Sequence, residues 1–373
     1  MALTDPCGPA TCPPFPRASI RTQPFSARIV MFSVVAVILL SCVPVSVGAA
    51  KTKLYIFNCG DYIAETTVDK FEKAYPEYEV VYEVFDTNEA MYQKLKSGST
   101  KYDLIFPSDY MVEKLISEDL VSPIDYSKIP NYKYIMKDFR NPDYDPGNKY
   151  SVPYMWGTFG ILYNKTMVDE KDVDSWDVLW NKKYAGNIQM LDSVRDTMGI
   201  SLIRLGYSIN TQKTSEIEEA KNELIKQLPL VQAYVNDDGK DRLVVGDAAM
   251  GIVYNGDALV LMDENPDLAY SVPKEGTNRW VDAMCIPKIA ENKDYAQMFI
   301  NFMLDPDNAL QNVEYIEYST PNQAAFDMLD DETKNDPTAY PDQEVLDKSD
   351  VFLNLPPKVL KIYEDAWTEI KSQ

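Results

Sequence analysis

From residue 53 the chain alternates short apolar runs with amphipathic stretches, a pattern that predicts strands followed by helices. Residues 53–57 read as a strand, followed by a Cys59-Gly60-Asp61 turn and a helical pattern with Val68, Phe71 and Ala74 on one face. The order repeats: a strand at 79–85, a helix at 89–96 closed by Gly98, a strand at 102–106, and a helix at 110–120. In that last helix Met111, Leu115 and Ile116 share a face, with Ser108 or Asp109 placed to cap it. Residues 131–149, rich in Pro, Asp, Asn and Tyr, read as a surface loop. A second cycle gives a strand at 187–191, helices at 196–205 and 215–227, and a strand at 248–254. A strand at 284–287 and helices around 295–303 and 308–313 complete it. Alternating strands and helices predict an α/β fold with parallel-wound sheets. A length of 373 residues allows two to three domains.

The first 50 residues have a different texture. Arg17, Arg21 and Arg28 precede a twelve-residue apolar stretch, 29–40, interrupted only by Ser33. It is too short to span a bilayer, which takes about 20 apolar residues, and it matches the apolar region of an export signal. Two cleavage readings compete. Leu39-Leu40-Ser41-Cys42 resembles a bacterial lipobox, which would make Cys42 an acylated N-terminus, whereas Val47-Gly48-Ala49 suits ordinary signal peptidase. Cys7, Cys12 and Cys42 fall in this leader, leaving Cys59 and Cys285, read as free thiols.

Composition then narrows the function. The chain has 36 basic and 58 acidic residues, a net charge of −22. Removing residues 1–42 takes away three basic residues and one acidic one, which leaves 33 against 57 and a net of −24. Such a balance opposes the phosphate neutralisation that nucleic-acid binding requires. There is no histidine, which excludes Ser-His-Asp and Cys-His catalysis and HExxH zinc chemistry. Asp143, Asp145 and Asn148 lack the Gly and Glu of a calcium loop and read as Asx turns. No catalytic residue, metal or cofactor is expected.

In open α/β sheets ligands sit beyond the carboxyl ends of strands. Carboxylates and rings recur there: Cys59, Gly60, Asp61 and Tyr62; Ser108, Asp109 and Tyr110; Asp192, Ser193 and Asp196; Tyr254 and Asn255; and Trp280 and Asp282 just before a later strand. The pairing suits an alkyl ammonium ligand. Carboxylates meet its charged ends, and rings cover its methylene stem with cation–π faces worth about 0.5–2 kcal/mol each.

These residues carry a resemblance. Tyr102–Val112 (YDLIFPSDYMV), Tyr150–Gly157 (YSVPYMWG), Ile252–Asp257 (IVYNGD), Asn278–Ile286 (NRWVDAMCI) and Glu317–Asn322 (EYSTPN) resemble the PotD and PotF family, the extracytoplasmic polyamine-binding subunits of ABC importers. The resemblance runs colinearly over 53–370. It implies a periplasmic-binding-protein fold of two α/β lobes around a ligand cleft. One lobe would comprise 51–160 plus 281–326 and the other 166–275 plus 332–373. Hinge crossovers would lie at 161–165, 276–280 and 327–331, with 1–50 as leader and tether. It further implies a monomeric periplasmic receptor, held to the membrane if Cys42 is acylated, that delivers putrescine or spermidine to an ABC permease.

Carried over singly, Tyr62, Ser108, Tyr110, Tyr254, Trp280, Asp282 and Tyr318 match cleft positions. Asp61 and Asp196 would supply further carboxylates, with Cys59, Asp192 and Ser193 as secondary candidates. The sequence departs from the spermidine-binding pattern where Cys59-Gly60-Asp61-Tyr62 replaces Trp-Thr-Glu-Tyr and where Ser193-Val194-Arg195-Asp196 replaces Asp-x-x-Glu. Fewer acids favour the diamine putrescine over spermidine. The alternatives are a receptor of the same fold for an amino acid, opine or iron, with Arg195 as an anion clamp; a carboxylate-based hydrolase; and a surface adhesion lipoprotein.

Overall fold

The computed structural model describes residues 50–60 and 62–373. The leader, Cys42 and Asp61 lie outside the described residues. Among the described residues nine strands are formed: β1 (Thr52–Cys59), β2 (Tyr78–Phe85), β3 (Leu104–Ile105), β4 (Ser151–Asn164), β5 (Ile188–Leu191), β6 (Val231–Val235), β7 (Met250–Tyr254), β8 (Leu268–Ser271) and β9 (Arg279–Cys285). Their order is β2-β1-β3-β9-β4-β7-β5-β6, with β8 also paired to β4.

The wound segments are parallel as the pattern predicts, β1 with β2 and β3, and β5 with β6 and β7. The sheet as a whole is mixed. β9 runs antiparallel to β3 and β4, and β4 runs antiparallel to β7 and β8. A purely parallel winding is therefore corrected: the strands that carry the chain between its two α/β halves enter from the opposite direction.

β4 makes that passage. Its residues 151–158 pair with β9 and its residues 159–164 with β7 and β8, and every one of its 14 residues is buried. Burial on both faces removes the apolar–polar alternation by which strands are recognised. Pro153, which has no N–H to donate, sits where the β4–β9 register shifts, the kind of position a strand proline tolerates.

Two further expectations are revised. The third strand shrinks to two residues because the chain beyond Phe106 leaves the ladder, touching β9 again through the isolated pair Ser108–Asp282. The expected strand at 284–287 starts earlier, so Trp280 and Asp282 lie within β9 rather than before it. Strand periodicity puts those two on one face, while Val281, Ala283 and Cys285 on the other are buried.

Helices cover the sheet. Phe71 of the helix Thr67–Ala74 packs edge-on to Phe299 of the helix Lys293–Met303. Across the second half, Tyr363, Ala366 and Ile370 of the C-terminal helix Pro357–Lys371 join Met198, Leu202 and Leu224 in a separate core. In the 131–149 loop, buried Asp145 accepts from the N–H groups of Lys149, Tyr150 and Ser151 and from the Ser151 hydroxyl, as an Asx turn would. Cys285 is a buried free thiol, as expected.

Candidate functional site

The ends of β1, β3 and β7 and the middle of β9 converge on one group of acids and rings. Tyr318 is central: its ring lies edge-on to Trp280 at 5.3 Å and to Tyr62 at 5.4 Å. Tyr62 also meets Tyr154 at 5.3 Å, and Trp280 meets Tyr254 at 6.0 Å. Two glycines make this approach possible. A Cβ on Gly256 would sit 2.6 Å from Cγ of Tyr318, and one on Gly157 would sit 2.5 Å from Cζ2 of Trp280.

Asp282 stands at one end of the ring series. Burial pushes its carboxyl up to about 6, opposed by the Ser108 and Tyr62 hydroxyls. Those neighbours leave Asp282 Oδ1 and Tyr62 Oη without a properly formed hydrogen bond, and Trp280 Nε1 is likewise buried and unpartnered. Ser108 is positioned by Asn88, which donates to its hydroxyl (2.9 Å) and accepts from its N–H (3.1 Å). Although it occupies the N-cap of the helix Asp109–Ser117, its side chain makes no capping bond. The carboxylate of Asp109 accepts from Tyr110 N–H instead.

Asp196 stands at the other end. It is buried in the first turn of the helix Val194–Arg204, and its Oδ2 accepts from Ser193 Oγ (2.5 Å) and Tyr254 Oη (3.1 Å). Burial raises its pKa, against the pull of those two hydroxyls and of Arg195. Tyr110 faces this end and donates its hydroxyl to Glu89 (2.9 Å). Glu89, an exposed residue of the helix Asn88–Ser97, also acts electrostatically on Asp196. Among the described residues no lysine or arginine forms a salt bridge with Asp196 or Asp282. Buried carboxylates without a counterion strongly favour a cation over an anion or neutral solute.

The secondary candidates divide. Ser193 belongs to the Asp196 cap, and Cys59 lies near enough to Tyr318 to act on it electrostatically. Asp192 is exposed and pairs with Lys371 at 3.0 Å. Arg195 does not serve as an anion clamp: its guanidinium donates to the carbonyls of Leu353 and Ile209 and to Asn210, and lies over the Phe352 ring at 4.5 Å. Sequence reasoning did not single out Glu89 or Gly256, the latter carrying no signal until the ring above it is known, and it named Asp109 beyond the third strand and as a possible cap without assigning it to the site.

Residues 66–341 match the model of the bacterial extracellular solute-binding proteins. The chain is 38% identical over 320 residues to the spermidine/putrescine-binding periplasmic protein of Escherichia coli K12, covering 86% of this chain and 91% of that protein. It is similar to the crystal structure of the spermidine/putrescine transporter substrate-binding protein PotD of Streptococcus pneumoniae, with a TM-score of 0.78 and 43% identity over 86% of this chain and 99% of that one. The PotD lipoprotein of Treponema pallidum has a TM-score of 0.78 at 28% identity, covering 86% of this chain and all of its own (100%).

Proposed function

The chain belongs to the bacterial extracellular solute-binding proteins, and from that premise we propose that it captures a polyamine, putrescine or spermidine, and presents it to an ABC permease without chemistry of its own. The observation that carries this reading is a pair of carboxylates, Asp196, which is buried, and Asp282, which is half-buried with its Oδ1 out of contact with water, joined by edge-on rings and forming no salt bridge with a basic residue among the described ones. An ammonium at each end replaces the missing counterion, and Trp280, Tyr254, Tyr62, Tyr110 and Tyr318 enclose the stem. Closure of the lobes excludes water and strengthens both ion pairs.

The proposed lobes are 51–160 plus 281–326 and 166–275 plus 332–373, hinged at 161–165, 276–280 and 327–331. Asp61 adds a third carboxylate to the cleft, and Cys42 is acylated after export, tethering a monomer to the membrane. Lipid anchoring of the Treponema pallidum relative supports that last assignment. Ser193 stands where a second acid would serve a triamine and instead donates to Asp196, which favours putrescine.

A thermal-shift panel of putrescine, cadaverine, spermidine, spermine, arginine and glutamate on the purified mature chain tests the reading. A ligand that binds only the folded state raises stability by RT ln(1 + [L]/Kd). The diamines should raise Tm most and glutamate not at all; no shift with any amine would overturn the assignment.

A further inference from the structure

The loop that carries Tyr62 is shaped from outside. Between Gly60, whose N–H reaches Phe85 O, and Ala64, whose carbonyl accepts from Thr67 N–H, no main-chain hydrogen bond to Tyr62 or Ile63 forms among the described residues. Side chains from three other elements take over. The Tyr62 carbonyl accepts from Asn58 Nδ2 of β1 at 3.0 Å and from the Tyr154 hydroxyl of β4 at 2.6 Å. Ala64 N–H donates to Oδ1 of Asn312, in the helix Pro306–Ile316, at 2.8 Å, and Asn312 Nδ2 donates to the Tyr154 hydroxyl at 2.9 Å. Asn58, Tyr154 and Asn312 are all buried. Chemistry fixes the direction of this chain of bonds. An N–H can only donate, so Asn312 presents its oxygen to Ala64 and its amide nitrogen to Tyr154, whose one hydroxyl hydrogen is left for Tyr62.

Tyr154 reaches Tyr62 because β4 bulges there. Pro153 pairs with Ala283 and Met155 with Asp282, so Tyr154 is the extra residue, without a partner on β9. A bulge of this kind gives up ladder pairing and re-aims a side chain. The re-aimed ring lies edge-on to Tyr62 at 5.3 Å and to Phe106 at 4.8 Å. Tyr154 therefore holds Tyr62 at two points, the ring and the carbonyl. A phenylalanine would fill the same space, so packing alone gives no reason for a hydroxyl aimed at a loop carbonyl.

We propose that Tyr154 is a positioning residue for the amine site: from its bulge, and supported by Asn312, it fixes the loop after β1 so that the Tyr62 ring stays against Tyr318 with its hydroxyl beside Asp282. This rests on the reading of the cleft as an amine site. Tyr154 acts through Tyr62, whose ring is edge-on to Tyr318 at 5.4 Å and whose hydroxyl is buried next to Asp282. Without the clamp the loop has no main-chain bond to keep that orientation, and the amine must order it on binding. Holding a binding group in its bound position beforehand removes that ordering cost from the affinity.

Calorimetric titration of putrescine into the mature chain, Tyr154→Phe, Tyr62→Phe and the double variant measures whether Tyr154 works through the Tyr62 hydroxyl. Tyr154→Phe keeps the ring and removes only the clamp. It should raise Kd roughly 3- to 10-fold in the parent and by less than about twofold in Tyr62→Phe, where the positioned group is gone. Its effect on the Tm of the free chain should be the same in both backgrounds, because the Tyr62 carbonyl is present in each. A Kd unchanged by Tyr154→Phe, or raised by one factor in both backgrounds, overturns the proposal and leaves the amine reading intact. No binding of any amine by the parent overturns both. Should Tyr154→Phe not fold, Asn312→Ser, which cuts the chain of bonds one link earlier, goes through the same cycle and the same outcomes decide.

Discussion

Gly256→Ala separates what closes the cleft from what holds the fold. Gly256 is the second residue of the helix Asn255–Glu264, and its Cα faces the ring of Tyr318. An added Cβ would lie 2.6 Å from Cγ and 2.7 Å from both Cδ atoms of that ring. Carbon atoms prefer about 3.5–4.0 Å, so the ring must retreat by roughly 1 Å. It cannot move alone, because Trp280 and Tyr62 both pack against it. Overpacking of this kind costs about 1–3 kcal/mol. Gly256 follows β7, whereas Tyr318 precedes Ser319, which bridges to Trp156 in the half of β4 paired with β9.

If those two halves are lobes that part in the free protein, the cost falls on the closed form alone. It then weakens binding by roughly 5- to 150-fold, at 1.4 kcal/mol per factor of ten. The free protein should not suffer, since alanine is favoured over glycine within a helix by about 1 kcal/mol. Calorimetric titration with putrescine and thermal unfolding of the free chain measure the two effects independently. The expected pair is a raised Kd with an unchanged or slightly raised Tm. A Tm lowered by several degrees with Kd unchanged would refute the reasoning, because the Tyr318 contact would then belong to the fold at large.

Asp282→Asn should abolish most of the amine-induced Tm shift while leaving the free protein folded; an unchanged shift would remove Asp282 from the site. The pH dependence of the parent has a definite sign. Burial raises the Asp282 pKa to about 6, so the free carboxyl is protonated below that value. An ammonium must then displace the proton, and affinity should fall as pH drops through about 6. Titrations from pH 5 to 7 would show this fall in the parent and its loss in Asp282→Asn. Arg195→Ala removes hydrogen bonds to Leu353, Ile209 and Asn210 and the contact with Phe352, a loss on the order of 2–4 kcal/mol. It should lower Tm by several degrees with putrescine affinity near that of the parent; an unchanged Tm with collapsed affinity would put Arg195 in the site after all.

The strand-then-helix order was legible because each wound unit is amphipathic on its own scale. Phe71 and Met111 mark buried helix faces by spacing alone. β4 was not legible. Its apolar run is interrupted by Pro153, Gly157 and Gly160, which argue against a strand interior in isolation. In the folded chain Pro153 falls at a register shift, and Gly157 makes room for Trp280 and Asn255. The helix Pro357–Lys371 does carry helical spacing at Tyr363, Ala366 and Ile370, but the faces it covers belong to helices more than 130 residues earlier. At the site, the rule that ligands gather beyond strand ends brought the acids and rings into view. The bond from Asp109 to Val281 spans 172 residues, and no local pattern encodes it.

The acidic total proves to be a poor measure of the site for a physical reason. Many acids of this chain face water in ion pairs, such as Asp174 with Lys274 or Asp365 with Lys361. Such exposed pairs are screened and contribute little. Asp109, Asp196 and Asp282 are different because hydroxyls and N–H groups surround them, and no basic residue forms a salt bridge with any of the three among the described residues. Neutral donors relieve a buried carboxylate only in part, so its pKa stays high and an incoming cation gains the remainder. Selectivity for an amine thus comes less from the number of carboxylates than from the lack, among the described residues, of a basic side chain bonded to them, since the nearby Arg195 spends its donors on Leu353, Ile209 and Asn210.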